Sequence, residues 1–178
     1  MKKKKKSILI VLSVIALSLF LTLLFGFKLV KTKGRNDGDY HLSEEMKRTI
    51  RKDTNDLDYR QIIRYSLRLT GKRLEFSLKN DLAHNKANCI GYAQVCSSIC
   101  NYAYSVNGIA LRTKPVVGYV TLYGINLCPL LQAVVPNRYN GFVKDHDFVE
   151  LVLDDRVLLF DASLYDYYIN ATTVVKRD

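Results

Sequence analysis

The stretch that decides the fold is residues 86–104, KANCIGYAQVCSSICNYAY. From Cys89 onward, apolar residues recur at spacings of three and four, which predicts the buried stripe of one α-helix. Asn88 is its predicted N-cap, because the side-chain oxygen can accept from a free amide of the first turn. Gly108 stands where such a helix would end. The predicted stripe consists of Ile90, Ala93, Cys96, Ile99, Cys100 and Ala103.

Cys89 is therefore expected in the first turn of this helix. The unpaired amides and the positive end of the helix dipole both favour a thiolate there. A lone cysteine is more often a small buried residue than a nucleophile, so partners have to be found elsewhere in the chain.

The last predicted hairpin places two such partners side by side. If Asp154 and Asp155 form a two-residue turn, Phe148 pairs with Asp161. His146 and Asp161 then lie on one face as diagonal neighbours, about 7–8 Å apart at the backbone. A three-residue turn without a bulge would put them on opposite faces, so the prediction depends on the register.

These residues match the needs of nucleophilic catalysis. The predicted catalytic residues are Cys89 as nucleophile, His146 as base and Asp161 as the acid that orients the imidazole. The backbone N–H of Cys89 can donate to an oxyanion, and His84 or Asn85 is a candidate for the second donor.

Other polar residues near these three are weaker candidates for the catalytic site. His84 is a rival base, but its one evident acid partner is Asp81. In the register above, Asp147 points away from His146, toward solvent or the preceding loop. Glu150 shares the His146 face and is expected to form a structural salt bridge.

Several motifs occur in an order that resembles the core of the transglutaminase-like superfamily of papain-like cysteine enzymes, over about residues 60–166. They are Cys89-x-Gly91-Tyr92-Ala93, Gly108-Ile109-Ala110-x-Arg112, Val117-Gly118-Tyr119, His146-Asp-Phe148-Val-Glu150-Leu151 and Asp161-Ala-Ser163.

The resemblance implies a papain-like fold and assigns Cys89, His146 and Asp161 as the catalytic triad. The chain departs from the family pattern at Phe148, where tryptophan is usual, at Ala162, where proline is usual, and at Asn88. None of these departures removes a reacting atom.

The implied activity is cleavage or transfer of an amide or peptide acyl group through a thioester, on a protein or peptide substrate. Hydrolysis is favoured over crosslinking, because crosslinking members of the superfamily are generally larger. Two alternatives stay open: a binding module that keeps the fold without turnover, and a redox-responsive protein that uses Cys96, Cys100 and Cys128.

The charge of the chain is concentrated at its beginning. The net charge is +10, yet residues 1–35 hold nine basic residues and no acid. The remainder has 18 basic and 17 acidic residues. The globular part is thus nearly neutral, which argues against a nucleic-acid partner.

Residues 7–27 form an uncharged apolar run, long enough to cross a membrane and longer than a typical signal-peptide core. The predicted organisation is a basic flank at 1–6, a transmembrane anchor at 7–27, a tether at 28–42 and a catalytic domain at 43–178. The lysine cluster before the span favours a cytoplasmic N-terminus, with the domain outside.

The four cysteines do not suggest a disulfide framework. Cys96 and Cys100 are expected to pack in the core, and Cys128 could bridge to one of them in an oxidising compartment. The cysteine spacing matches no zinc site, so neither a metal nor another cofactor is expected.

The pattern of elements predicts an α+β fold. Helices are expected at about 43–52 and 57–69, the second ending at Thr70-Gly71, before the Cys89 helix. A strand at 110–123 follows, with Pro115 at an edge or bend. Residues 124–144 are interpreted as a lid or binding loop. Strands at 147–153 and 156–160 close the antiparallel sheet.

Overall fold

A computed structural model describes residues 13–15, 17–18, 26–35, 40–134, 144–169 and 172–177. The labelled helices are α1 (Glu44–Asp53), α2 (Tyr59–Arg73), α3 (Cys89–Val106), α4 (Leu127–Val134) and α5 (Ala162–Asp166). The strands are β1 (Phe27–Gly34), β2 (Glu75–Phe76), β3 (Lys86–Ala87), β4 (Thr113–Leu122), β5 (Ile125–Asn126), β6 (His146–Val152), β7 (Arg156–Phe160) and β8 (Thr172–Lys176).

The main sheet is antiparallel, in the order β1-β4-β6-β7-β8, and β5 pairs with the end of β4. The sheet curls until its two outer strands meet, where the amide of Leu29 donates to Thr173 Oγ1 at 2.8 Å. The short strands β2 and β3 form a separate parallel pair. The predicted α+β class with an antiparallel sheet is confirmed.

Helix α3 lies at the centre of the larger apolar core, between the sheet and helices α1 and α2. Eleven of its residues are buried, including Ser97 and Ser98. The predicted stripe was therefore too narrow, because both faces of the helix are covered. Ser97 Oγ and Thr113 Oγ1 satisfy each other at 3.0 Å, which allows these hydroxyls to be buried.

Helices α1 and α2 lie close to the predicted ranges. Ser43 accepts from the amide of Met46, and α1 begins one residue later. Helix α2 does not end at Thr70-Gly71 as predicted, but continues to Arg73. A Cβ at Gly71 would lie 2.6 Å from Asp166 Oδ1, so this glycine permits close packing of α5 rather than ending the helix.

The predicted tether was wrong over its first part, because Phe27–Gly34 forms β1 and pairs with β4. Leu29 is 1% exposed and packs in the second apolar core. The lysines of this segment suggested a solvated chain, yet Lys31 has a partner in the sheet. Its Nζ lies 2.6 Å from Glu150 Oε1, and Lys114 lies 3.3 Å from the other oxygen. The predicted salt-bridging role of Glu150 is thus confirmed.

Strand β4 has neighbours on both sides along most of its length. Among the residues that the structure describes, Pro115 pairs only with Val149 of β6, because the pairing with β1 ends at Val116. The missing N–H of the proline therefore falls where β4 is locally an edge.

The segment predicted as a lid or loop begins with β5 and α4, while residues 135–143 lie outside the described residues. Most of the predicted membrane span, 7–27, also lies outside them, apart from the helical residues 13–15 and 17–18 and the residues from 26 onward. Among the residues that the structure describes, no helix has the length and apolar character to cross a membrane.

Candidate functional site

Cys89 is the first residue of α3 and is partly exposed. As predicted, Asn88 caps the helix, and its side chain accepts from the amide of Ile90 at 3.0 Å. The amide of Asn88 is held in turn by Asn80 Oδ1 at 2.8 Å. The start of the helix, and with it the thiol, is fixed by two side-chain amides.

Gly91 allows the preceding loop to pack against the first turn of α3. A Cβ at this position would lie 2.7 Å from Asn80 Oδ1 and 2.8 Å from the Cβ of Ala87. A larger residue would displace the loop that positions Asn88, so the glycine two residues after the cysteine has a steric purpose.

His146 is the first residue of β6 and lies opposite Gly118 of β4. A Cβ at Gly118 would lie 2.0 Å from the carbonyl oxygen of Val30 and 2.8 Å from Cζ of Phe148. The imidazole lies near the buried Phe148 ring, with 6.4 Å between centroids. Gly118 thus leaves room for the aromatic ring beneath the histidine.

The predicted hairpin register is confirmed, since Val149 pairs with Phe160 and Val152 with Val157. His146 and Asp161 consequently lie on one face, and His146 Nε2 is bonded to Asp161 Oδ2. The other carboxylate oxygen accepts from the amide and the hydroxyl of Ser163, at 2.8 and 2.7 Å. Asp161 therefore caps α5 with one oxygen and binds the imidazole with the other.

The electrostatics of the pair favour its charged form. Burial lowers the pKa of His146, but the charge of Asp161 and hydrogen bonds to Asp161 and Cys89 outweigh it and hold this pKa well above the usual value. Burial raises the pKa of Asp161, and the opposing charge and hydrogen bond of His146 bring it below the usual value. Both shifts favour an imidazolium paired with the Asp161 carboxylate, in the cavity that Cys89 also lines.

Asp147 is not directed to solvent or the loop as predicted. It is 2% exposed and forms a two-point ion pair with Arg35, whose Nη2 lies 2.9 Å from Oδ2. The same oxygen lies 3.8 Å from the Cys89 sulfur, within reach of its S–H. Burial raises the pKa of Asp147, although Arg35 opposes this shift. Sequence reasoning missed this pair because Arg35 was placed in the tether.

A cavity of about 250 Å³ opens beside the thiol and the imidazole. Its polar lining residues include Asn88, Cys89, Asp145 and His146. Most of the remaining lining is apolar and includes Phe76, Leu78, Val120, Leu127, Leu131 and Leu164. Sequence reasoning had not associated these apolar residues with Cys89.

Cys128 also lines this cavity, and burial raises the pKa of its thiol. All four cysteines carry free thiols, so the bridge considered for Cys128 is not formed. Cys96 and Cys100 are fully buried in the core, as expected from the helix pattern.

The rival base has a different environment. The His84 ring is 77% exposed and bonds Asp81 at 2.9 Å. It is not among the residues that line the cavity beside Cys89. Within the described ranges, no group of three His, Cys, Asp or Glu side chains could hold a metal ion.

Comparisons of the chain with protein-family models, with curated proteins and with solved structures found no match.

Proposed function

We propose that this chain is a cysteine enzyme with a transglutaminase-like, papain-like core, which cleaves or transfers an amide or peptide acyl group through a thioester. The observation that carries the proposal is the position of His146, which is hydrogen-bonded to Asp161 and lines the same cavity as Cys89. The motifs around these three residues, in matching order, support the same assignment.

In the first half of the proposed reaction, the Cys89 sulfur attacks the substrate carbonyl as an anion. The new C–S bond places negative charge on the carbonyl oxygen, which the Cys89 backbone N–H at the start of α3 can stabilise. The C–N bond then breaks, and the departing amine takes the proton from the His146 imidazolium. The products are a free amine and an acyl group bound to Cys89 as a thioester.

In the second half, neutral His146 takes a proton from a water molecule or an acceptor amine as it attacks the thioester. Collapse of this intermediate breaks the C–S bond and regenerates the thiolate beside the imidazolium. Asp161 stabilises the charged imidazole throughout and keeps Nε2 engaged, which leaves Nδ1 for the sulfur and the substrate. We favour water as the acceptor, in line with the family resemblance.

The test compares wild-type protein with Cys89→Ala and His146→Ala, using iodoacetamide labelling read residue by residue. We expect Cys89 to react at least about tenfold faster than Cys128 at neutral pH, because a thiolate is the reacting form. His146→Ala should remove most of this difference, while Cys128→Ala should leave Cys89 labelling unchanged. Equal reactivity of the two cysteines in wild type would contradict the proposal.

The alternative of a binding module without turnover predicts a different outcome. Peptides from a library would bind wild type and Cys89→Ser equally well, and no amide bond would be cut. Loss of cleavage in Cys89→Ser, with peptide binding retained, would instead support the enzyme.

We also propose that the apolar run at residues 7–27, as far as its last residue Phe27, which belongs to β1, anchors the chain in a membrane, with the N-terminus cytoplasmic and the domain outside. The uncharged run and the preceding lysines support this. The full chain should resist alkaline extraction from membranes, whereas a chain without residues 1–25 should be released. Protease added to sealed cells should cut the domain only if it faces outward.

A further inference from the structure

We infer that the cavity beside Cys89 receives an apolar side chain on the acyl side of the scissile bond, so that the substrate class is a peptide or amide with a leucine- or phenylalanine-like acyl residue. This inference rests on the proposed function and deepens it.

The cavity lies directly beside the residues proposed to react. Cys89 and His146 both line the cavity, together with Asn88, the cap of α3. An acyl group bonded to the Cys89 sulfur stays attached to the wall of this cavity after the amine has left. The cavity is therefore placed for the acyl part of the substrate.

The lining of the cavity is mostly apolar. Helix α4 contributes Leu127 and Leu131 to the lining, and the segment after β2 contributes Leu78. Leu131 and Leu78 are 46% and 39% exposed, so the apolar lining is open to solvent and available to a ligand. Asp145 is the one acidic residue of the lining in the described part of the chain, and it disfavours an acidic substrate group there.

The cavity is small. The volume of about 250 Å³ is below the roughly 300–1,000 Å³ of sites for drug-sized ligands. One leucine or phenylalanine side chain fits this volume, whereas a long acyl chain exceeds it.

The test uses the full chain and one electrophile, a fluoromethyl ketone, attached to N-acetylated phenylalanine, leucine, lysine or glutamate. We expect the phenylalanine and leucine probes to label Cys89 at least about tenfold faster than the lysine and glutamate probes. Equal labelling by all four probes would overturn the inference.

Leu131→Glu and Leu130→Glu form a matched pair of variants. Both residues are exposed on α4, at 46% and 55%, but only Leu131 lines the cavity. Leu131→Glu should slow the phenylalanine probe about tenfold and accelerate the lysine probe, since it puts a carboxylate into the cavity. Leu130→Glu should match wild type, and equal behaviour of the two variants would overturn the inference.

Two readouts separate failure of this inference from failure of the proposed function. Iodoacetamide is too small to need the cavity, so slow labelling of Cys89 by iodoacetamide argues against the nucleophile itself. In that case, Cys89→Ala is titrated with N-acetyl-phenylalaninamide and N-acetyl-lysinamide by NMR. Tighter binding of the phenylalanine amide, lost in the Leu131→Glu background, supports the cavity assignment, and equal binding overturns it.

Discussion

His146 and Asp161 are joined across strands β6 and β7 by a bond from Nε2 to Oδ2, while the first turn of α5 holds Oδ1 of the same carboxylate. The carboxylate cannot turn away from the imidazole without losing its cap on α5. The orientation of the imidazole is thus tied to the folding of the segment that follows β7.

Replacement of this carboxylate should slow the reaction of Cys89. In Asp161→Asn, we expect the pKa of His146 to fall, because burial remains and the opposing charge is lost. A smaller fraction of the imidazole is then protonated near pH 7, so it stabilises a thiolate less well. Iodoacetamide labelling of Cys89 at pH 6–7 should fall by about tenfold or more, since one pKa unit is a factor of ten in the protonated fraction.

Ser163→Ala is the control for this variant, because it removes one hydrogen bond to Oδ1 and keeps the charge. It should retain most of the labelling rate. An Asp161→Asn protein that folds and labels at the wild-type rate would remove Asp161 from the triad.

The ion pair between His146 and Asp161 should also make the stability of the folded protein depend on pH. The pKa of His146 is raised in the folded protein, so its contribution is complete below about pH 6.5 and is lost as the pH rises through the folded value. The free energy of unfolding should therefore fall above pH 6.5, by up to about 1.4 kcal/mol per pH unit. Urea denaturation at several pH values measures this slope.

His146→Ala should lose the slope above pH 6.5. His84→Ala, which removes an exposed imidazole, should keep it. A slope that is equal in wild type and in His146→Ala would assign the pH dependence to other groups.

Arg35→Ala should destabilise the protein and slow the labelling of Cys89 by iodoacetamide. The Asp147 carboxylate is buried and would lose its cation, which costs about 3–5 kcal/mol for a broken buried pair. Its uncompensated charge near the sulfur would also disfavour a thiolate. Urea denaturation and iodoacetamide labelling measure the two effects.

The double variant Arg35→Ala/Asp147→Asn should recover most of the lost stability, because no buried charge is left without a partner. Arg156→Ala breaks an exposed pair with Asp155 and should leave the stability unchanged. Arg35→Ala with wild-type stability would show that solvent satisfies Asp147.

Gly118→Ala should separate β1 from β4. The added Cβ would lie 2.0 Å from the Val30 carbonyl oxygen and 2.8 Å from the Phe148 ring. The carbonyl oxygen belongs to the backbone of β1, so it cannot move aside as the end of a flexible side chain could. We expect a loss of about 3 kcal/mol or more in urea denaturation. Gly34→Ala, whose Cβ would meet nothing within 4 Å, is the matched control and should be nearly neutral.

Predictions from the sequence were reliable where a feature depends on residues that are close together in the chain. The cap Asn88 was predicted from a single side chain. A two-residue turn was enough to place His146 beside Asp161, because side chains alternate along a strand.

They were unreliable where a residue's role depends on a distant partner. Lys31 pairs with Glu150, which is 119 residues away, and Arg35 pairs with Asp147, 112 residues away. Each basic residue alone looks solvated, and neither periodicity nor composition reveals the acid that faces it. The strand β1 and the charge pair beside the sulfur were missed for this reason.

Phe27 is both the last residue of the apolar run and the first residue of β1, and it lines the cavity beside Cys89. With the apolar run before Phe27 in a bilayer, as proposed, the cavity beside Cys89 would lie close to the lipid headgroups. The proposed enzyme would then meet its substrates in the plane of the membrane, and polypeptides emerging from or lying on the same lipid surface would reach it first.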